Sequence, residues 1–374
     1  MTRRWRLAAF AGALALAACG ATSTVAGPAA AVEPCADEAA QVAWRRASAA
    51  LADAAAAAAA GDPAAIARGD VAALPYLEVV ATGCPDFVRG HVAFQDAALR
   101  VGGPAAARMR AVYEQRRDDG TECAAYCAAR LLPTVYAQSA AFDAMLARAP
   151  RFAWARLSQA RIARSQGRLL AALDGLALAL RDAPDLHEAR RERAEALAEL
   201  GRDGEAAAEY RLYLAIAPTD RAASRDFVRL LLYRLGRTAE AVPLLDRLEA
   251  EAPNDVDLRM DRAAVHWQNG ELRRSAEAYL AVLAASPTAT RAALNLGLLY
   301  YEVAPGPDPA AQRRFWPAAR AAFRWFLDGP APTGGFEQYE RTLGVPFRLA
   351  RIAGEIGPES PAYVRLTDLR WPGE

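Results

Sequence analysis

Small, large and turn-forming residues recur along the second half of the chain at fixed spacings. The stretch GRDGEAAAEYRLYLAIAP (201–218) begins at a glycine and ends at a proline, with a small residue five places after the glycine and a large one four places later. Residues three or four apart share one face of a helix. Glycine permits the turn before a helix, and proline cannot continue it. The pattern therefore predicts a helix in each glycine-to-proline interval.

These intervals repeat with one period. Prolines occupy positions 150, 184, 218, 253 and 287, which are 34, 34, 35 and 34 residues apart, and glycines at 167, 201, 236 and 270 keep the same rhythm. The small and large residues after each glycine are Ala172 and Leu176, Ala206 and Tyr210, Ala241 and Leu245, and Ser275 and Tyr279. A small residue lets a neighbouring helix approach, and a large one fills the notch. One such unit cannot bury its apolar face alone, so the units must stack.

The pattern resembles the tetratricopeptide repeat, whose unit is two antiparallel helices. That resemblance places a small residue in the middle of each first helix, and these residues are Ala160, Ala194, Ala263 and Gly297. The stretch AALNLGLLYYE (292–302) matches a first helix closely. The resemblance implies an all-α, right-handed superhelical solenoid of antiparallel helix pairs. Five units are expected, at 153–186, 187–221, 222–255, 256–289 and 290–330.

Two units depart from the pattern. The third has Arg229 at the small position and one extra residue, which predicts a shifted first helix. The fifth is interrupted between its helices by VAPGPDPAAQ (303–312). Before the array, 35–150 predicts a helical region with degenerate repeats. After it, 336–374 predicts capping helices and a tail that packs on the last units or in the groove.

The first residues predict export. Three arginines precede an apolar run, 7–18, which ends in LAACG. This ending resembles the lipobox of bacterial lipoproteins, which implies a signal peptide at 1–18, an acylated Cys19 and a flexible tether at 19–34. Gly20 after the cysteine favours, on the same resemblance, the outer membrane with the protein facing the periplasm. The alternative is an ordinary signal peptide or short anchor that happens to contain a cysteine.

Four further cysteines follow: Cys35, Cys84, Cys123 and Cys127. An even number in an exported chain predicts disulfides, with three pairings open. Cys35 with Cys84 would tie the first helix to the next unit, whereas Cys123 and Cys127 lie one helical turn apart, an awkward separation for a bridge. Zinc is the competing interpretation, but CxxxC with two distant cysteines is poor zinc spacing. We expect no metal and no cofactor.

Composition excludes several classes of function. Charged residues make up 24% of the chain, hydrophobic residues 53%, and the net charge is +1, so there is no basic excess for nucleic acid. The three histidines fall in different units, and no nucleophile or phosphate-binding motif occurs. The sequence therefore predicts a protein that is not an enzyme.

The family resemblance places a concave groove on the inner faces of the first helices. The positions that line it are Trp154, Arg161, Arg164, Arg191, Tyr233, Arg234, Met260, Trp267, Gln268 and Tyr301. Aromatic residues and arginine are enriched at interface hot spots. The rings could instead pack on neighbouring helices. The arginines could grip a peptide carboxylate, or pair with Glu195 and Glu199.

Together these features predict a membrane-anchored, periplasm-facing scaffold that binds a protein or peptide partner during assembly of envelope complexes. One alternative is an accessory or activator of an envelope enzyme that acts on the cell wall. Another is a structural subunit that self-associates through the repeats.

Overall fold

The computed structural model describes residues 35–59, 62, 64–116, 119–330, 335–357 and 371–372. These residues are all-α, as predicted, and no β-strand occurs among them. The predicted signal peptide, Cys19, the tether and most of the C-terminal tail lie outside the described residues.

Packing divides the chain after Leu230 into an N-terminal and a C-terminal unit. The N-terminal unit contains α1 (Glu38–Ala59), α2 (Ala65–Gly83), α3 (Val88–Val101), α4 (Gly103–Gln115), α5 (Glu122–Arg130), α6 (Val135–Arg148), α7 (Ala153–Ser165), α8 (Leu169–Asp182), α9 (His187–Glu199), α10 (Asp203–Ile216) and α11 (Arg221–Arg229). The C-terminal unit contains α12 (Thr238–Glu251), α13 (Val256–Gln268), α14 (Leu272–Ala285), α15 (Thr290–Leu298), α16 (Pro309–Asp328), α17 (Gly335–Tyr339) and α18 (Val345–Ile356). π-Helical turns follow three of these helices, at Leu230–Leu235, Leu299–Val303 and Glu340–Gly344.

The helices form successive pairs, and the turn within a pair depends on its glycine. Gly167, Gly201, Gly236 and Gly270 have φ angles of 73°, 83°, 64° and 76°. Side chains with a Cβ disfavour this left-handed region, so glycine suits these positions. The second helix of each pair ends two residues before the periodic proline, as α10 does before Pro218.

Small and large residues interlock between helices as the spacing indicates. Ala206 and Tyr210 of α10 are both buried, with 0% and 3% of their surface exposed. Gly297 of α15 lies directly against the ring of Phe323 of α16, and a Cβ added to Gly297 would overlap that ring. The close approach of α15 and α16 therefore requires a glycine at this position.

The extra residue of the third pair is held in a π-helical turn. In three other pairs the backbone N–H of the residue that follows the glycine donates to a carbonyl five residues earlier. These bonds run from Arg168 to Ala163, from Arg202 to Leu197 and from Glu271 to His266. In the third pair Arg237 bonds to Leu231, six residues earlier. The register of α11 is therefore displaced by one. Val228, which is fully buried, takes the small position in place of Arg229, in agreement with the shift that the extra residue predicts.

The disulfide candidates divide into one bridge and two thiols. Cys35, before α1, and Cys84, after α2, form a disulfide with their Cα atoms 5.7 Å apart. Cys123 and Cys127 are buried thiols on α5, so the prediction that they join disulfides was wrong. Side chains one turn apart on a regular helix do not converge as a bridge requires.

None of the described helices combines the length and the apolar character that crossing a membrane requires.

Candidate partner-binding surface

The predicted groove positions lie on first helices of the pairs, or directly after them, in both units. In the N-terminal unit they are Trp154, Arg161 and Arg164 on α7 and Arg191 on α9. In the C-terminal unit they are Tyr233 and Arg234 in the π-helical turn after α11, Met260, Trp267 and Gln268 on α13, and Tyr301 in the π-helical turn after α15. Each unit therefore presents its own part of the predicted surface.

Arg161 and Arg164 on α7 are paired with carboxylates of α9. Nε of Arg161 donates to one oxygen of Glu192 at 2.7 Å, and Arg164 contacts the other oxygen at 3.1 Å. Arg164 also contacts Glu195 and Glu199, each at 2.8 Å. The basic row of one first helix thus faces the acidic row of the next.

Arg191 continues this pairing towards α11. Its Nε donates to Glu195 at 2.9 Å, and its Nη1 donates to Asp220 at 3.0 Å. Asp220 is 4% exposed and also accepts from the hydroxyl of Tyr213 at 2.7 Å. The charge network consists of Arg161, Arg164, Arg191, Glu192, Glu195, Glu199 and Asp220. Its arginines have carboxylate partners within the protein, so the pairing alternative describes them better than the gripping of a peptide carboxylate.

Two neighbouring carboxylates of the charge network, Glu192 and Glu195, have pKa values shifted in opposite directions. Burial raises the pKa of Glu192, but Arg161 and Arg164 outweigh burial, so this pKa lies below its ordinary value. Burial, together with the nearby charge of Glu192, holds the pKa of Glu195 above its ordinary value. Burial likewise opposes the charge of Arg161, yet Glu192 outweighs it and the pKa of Arg161 is raised. Glu192 is therefore the carboxylate that most needs to stay ionised.

Trp154 is half-buried among side chains of the N-terminal unit. Its ring centroid lies 6.2 Å from that of Tyr126, and the guanidinium of Arg89 lies 5.9 Å from the Trp154 ring. Arg89 extends from α3 to α9, where its Nε and Nη2 donate to Glu188 at 2.6 and 3.0 Å. This arginine and its partner restrict access to Trp154, so Trp154 is a packing residue in this structure more than a free anchor.

Met260 and Tyr301 are not available as surface residues. Met260 is 8% exposed and Tyr301 is 7% exposed. Tyr301 stacks on Trp316 of α16 at 5.5 Å, and its ring meets that of Phe323 edge-on at 6.0 Å. Their prediction as groove positions is therefore corrected. Tyr301 is covered because the long helix α16 supplies the rings of Trp316 and Phe323.

Tyr233, Arg234, Trp267 and Gln268 remain. Tyr233, Trp267 and Gln268 form what we term the aromatic face, and Arg234 is exposed beside Tyr233. Tyr233 and Trp267 are half-buried. The hydroxyl of Tyr233 donates to Asp261 on α13 at 2.7 Å, and Asp261 is 3% exposed. The ring of Trp267 packs edge-on against Tyr279 with centroids 6.5 Å apart. Both rings are thus partly accessible while their positions are fixed.

Gln268 joins the π-helical turn to the aromatic face. Its Nε2 donates to the carbonyl of Leu232 at 2.6 Å, and its Oε1 accepts from the hydroxyl of Thr238 at 2.6 Å. π-Helical turns expose carbonyls that an α-helix would bond internally and often occur at functional sites. The extra residue of the third pair therefore positions Tyr233 on Asp261 and offers Leu232 to Gln268.

Comparison with known proteins agrees with this helix-pair architecture. A family model described as tetratricopeptide repeat matches residues 175–221, 230–290 and 260–302. Segments 175–221 and 230–302 of the chain therefore carry tetratricopeptide repeats. No curated protein matches the sequence.

Several solved structures are similar at low identity. YrrB, titled a TPR protein with an unusual peptide-binding site, is 18% identical over 51% of this chain and 92% of its own, with a TM-score of 0.41. MamA from Desulfovibrio magneticus RS-1 is 19% identical over 47% of this chain and 93% of its own, with a TM-score of 0.41. Yeast Tom70 is 9% identical over 84% of this chain and 65% of its own, with a TM-score of 0.39.

The histidines of the tetratricopeptide repeats and of the helices before them serve packing and ion pairing. His91 is fully buried, Arg89 contacts His187 at 3.2 Å, and His266 contacts Glu271 at 2.6 Å. Within the described ranges, no three His, Cys, Asp or Glu side chains are grouped so that they could hold a metal ion.

Asp261 and Thr238 belong to the frame of the aromatic face but were not predicted from the repeat pattern. Asp261 occupies a core-facing position of α13, with Met260 and Ala263 buried beside it. A buried carboxylate at such a position requires a hydrogen-bond donor, so an Asp at a core-facing position of the sequence was a signal that could have indicated this contact. Thr238 offered none, because Ser and Thr are common at the start of a helix.

Proposed function

We propose that this protein is a membrane-anchored scaffold of the bacterial envelope that holds a segment of a protein partner on the aromatic face. Tetratricopeptide repeats are protein-interaction scaffolds, and this architecture supports the general role. The observation that carries the specific proposal is the pair of half-exposed rings, Tyr233 and Trp267, on a frame of internal hydrogen bonds.

The frame favours binding because it fixes the rings before a partner arrives. Ordering a free side chain on binding costs about 0.5–1.5 kcal/mol. The hydrogen bond from Tyr233 to Asp261 and the packing of Trp267 on Tyr279 already order both side chains in the folded protein, so binding does not have to order them. Aromatic rings held in this way are typical of the few residues that dominate an interface.

The chemistry of the surface indicates an apolar or aromatic partner segment. The arginines of the charge network already have carboxylate partners, so this network offers little for a peptide carboxylate. Arg234, next to Tyr233, is exposed and adds positive charge at the edge of the aromatic face. We infer an apolar or aromatic segment as the ligand of this face.

The envelope location rests on the lipobox-like LAACG sequence and on the disulfide. Disulfides persist in oxidising compartments such as the periplasm, and the bond between Cys35 and Cys84 is consistent with export. Acyl chains on Cys19 would supply the membrane affinity.

Changing the aromatic face should remove the partner. In capture from solubilised envelopes, Tyr233→Ala combined with Trp267→Ala should reduce recovery of a specific partner at least about tenfold, because hot-spot residues each contribute about 1–2 kcal/mol or more. Tyr136→Ala is the matched control, since Tyr136 is 85% exposed in the N-terminal unit and lies outside this surface. Thermal unfolding of each variant verifies that the fold persists.

The outcomes separate the alternatives. Equal recovery of the partner by the double variant and by wild type contradicts the proposal. Recovery of the protein itself and nothing else supports a self-associating subunit instead.

Cys19→Ala should release the protein from membranes into the soluble fraction, because the acyl chains are then missing. Fractionation with and without high salt measures this release. A variant that remains in the membrane fraction after the salt wash would contradict acylation of Cys19 as the anchor.

A further inference from the structure

Trp371 packs on an aromatic pair of the fifth repeat. Its ring centroid lies 6.0 Å from that of Tyr300, in the π-helical turn after α15, and 5.1 Å from that of Phe315 on α16, where the rings meet edge-on at 79°. Tyr300 is 0% exposed and Phe315 is 2% exposed, whereas Trp371 is half-buried. The pair therefore forms a floor, and the indole of Trp371 lies on it.

A shallow cleft of about 480 Å³ lies beside the indole. Its other wall is Gly270–Arg274, which comprises the end of the turn between α13 and α14 and the first residues of α14. Leu272 is half-buried in this wall, and the guanidinium groups of Arg273 and Arg274 are exposed at its rim. The indole thus occupies one side of a site that combines an aromatic floor, an aliphatic wall and a rim where Arg273 and Arg274 pair with Glu277 and Glu271.

The hydroxyl of Tyr300 is a second sign of a ligand site. It is buried and has no hydrogen-bond partner within the described part of the chain. Burial raises the pKa of Tyr300 to about 12. A buried hydroxyl without a partner costs about 1–3 kcal/mol, and phenylalanine would fill the same space without that cost. A donor or acceptor from a bound segment would satisfy it.

We propose that Tyr300, Phe315 and residues 270–274 form a binding pocket for a tryptophan side chain of a partner peptide, and that Trp371 occupies this pocket in the free protein. The ligand is defined by the chemistry that the pocket already holds, a tryptophan followed by proline, as in Trp371-Pro372. No residue of this pocket belongs to the aromatic face, and the proposal goes beyond the proposed function.

Trp371 then acts as a built-in competitor. A side chain tethered in the same chain has an effective concentration in the millimolar range. A free peptide with equal contacts must therefore exceed that concentration to displace Trp371, so only a partner with additional contacts binds readily.

The test uses the full-length protein and a labelled peptide with the sequence LTDLRWPGE, residues 366–374 of this chain. Fluorescence anisotropy should show binding to the Trp371→Ala variant at least tenfold tighter than to wild type. Trp371→Phe should lie between them, because a smaller ring occupies the pocket less well. The same peptide with alanine in place of tryptophan should not bind.

A further variant locates the peptide. Leu272→Arg added to Trp371→Ala should abolish binding, since it fills the cleft wall and leaves Tyr300 and Phe315 unchanged. Equal binding of the peptide to wild type and Trp371→Ala, binding of neither up to about 1 mM, or equal binding of the alanine peptide would each overturn the proposal. The aromatic face is unchanged in all these variants, so partner capture through Tyr233 and Trp267 succeeds or fails independently.

Discussion

Gly297→Ala should lower the free energy of unfolding by about 1–3 kcal/mol, the usual cost of forcing an extra group into a packed core. The added Cβ would overlap the ring of Phe323, which is 0% exposed and packed on all sides. α15 and α16 must then separate or Phe323 must leave its rotamer. Either change weakens the contact on which the fifth repeat depends.

Gly354→Ala is the matched control in α18, where nothing lies within 4 Å of an added Cβ. Alanine is the better helix former, so this change should raise the free energy of unfolding by about 0.5–1 kcal/mol. Urea denaturation of the two variants measures both values. A Gly297→Ala protein as stable as wild type would contradict the close packing of α15 on α16.

Glu192→Gln should cost about 2 kcal/mol at pH 7. The change leaves Arg161 without the carboxylate that holds its charge, and breaking a buried pair on one side costs about 3–5 kcal/mol. We reduce that figure because the side chain of Arg161 is 34% exposed and partly screened by water.

Glu195→Gln, one turn along the same helix, should leave stability unchanged or slightly higher. The pKa of Glu195 is raised in the folded protein, so its ionised form opposes folding at pH 7. Glutamine still offers an oxygen to Arg191, and Arg164 keeps Glu192 and Glu199. Opposite results for two identical changes on one helix would identify Glu192 as the centre of the charge network.

The two variants should also differ in their dependence on pH. The pKa of Glu192 is lowered in the folded protein, so its stabilisation is complete above the ordinary value of 4.5 and is lost as pH falls through the folded value. The cost of Glu192→Gln should therefore shrink below pH 4.5, as measured by denaturation from pH 7 to pH 3. A cost that stays constant over this range would show that packing, and not charge, explains it.

The fold was predictable because the repeat carries local information. Gly201 and Pro218 mark a turn and a helix end through their own backbone restrictions, and Ala206 with Tyr210 marks the packing face. None of these inferences requires knowledge of distant residues. The pairing of Cys35 with Cys84 differs, because the sequence left it as one of three possibilities and the packing of α1 on α2 decides it.

The functional surface was less predictable because it depends on contacts across the array. Arg89 and Glu188 are 99 residues apart, and no spacing rule connects them. Tyr301 is covered by Trp316, which follows an insertion that the repeat pattern does not describe. The extra residue near Arg229 was visible, but only the hydrogen bond from Arg237 to Leu231 shows that a π-helical turn contains it.

The central claim is that the aromatic face binds a protein partner, and photocrosslinking from position 234 tests it most directly. A photoreactive phenylalanine analogue in place of Arg234, which is exposed beside Tyr233, should give one discrete adduct in intact cells. The adduct should disappear when Trp267→Ala is added, and the same analogue in place of Tyr136 should not form it. An adduct that persists without Trp267, or that forms equally from position 136, would contradict the claim.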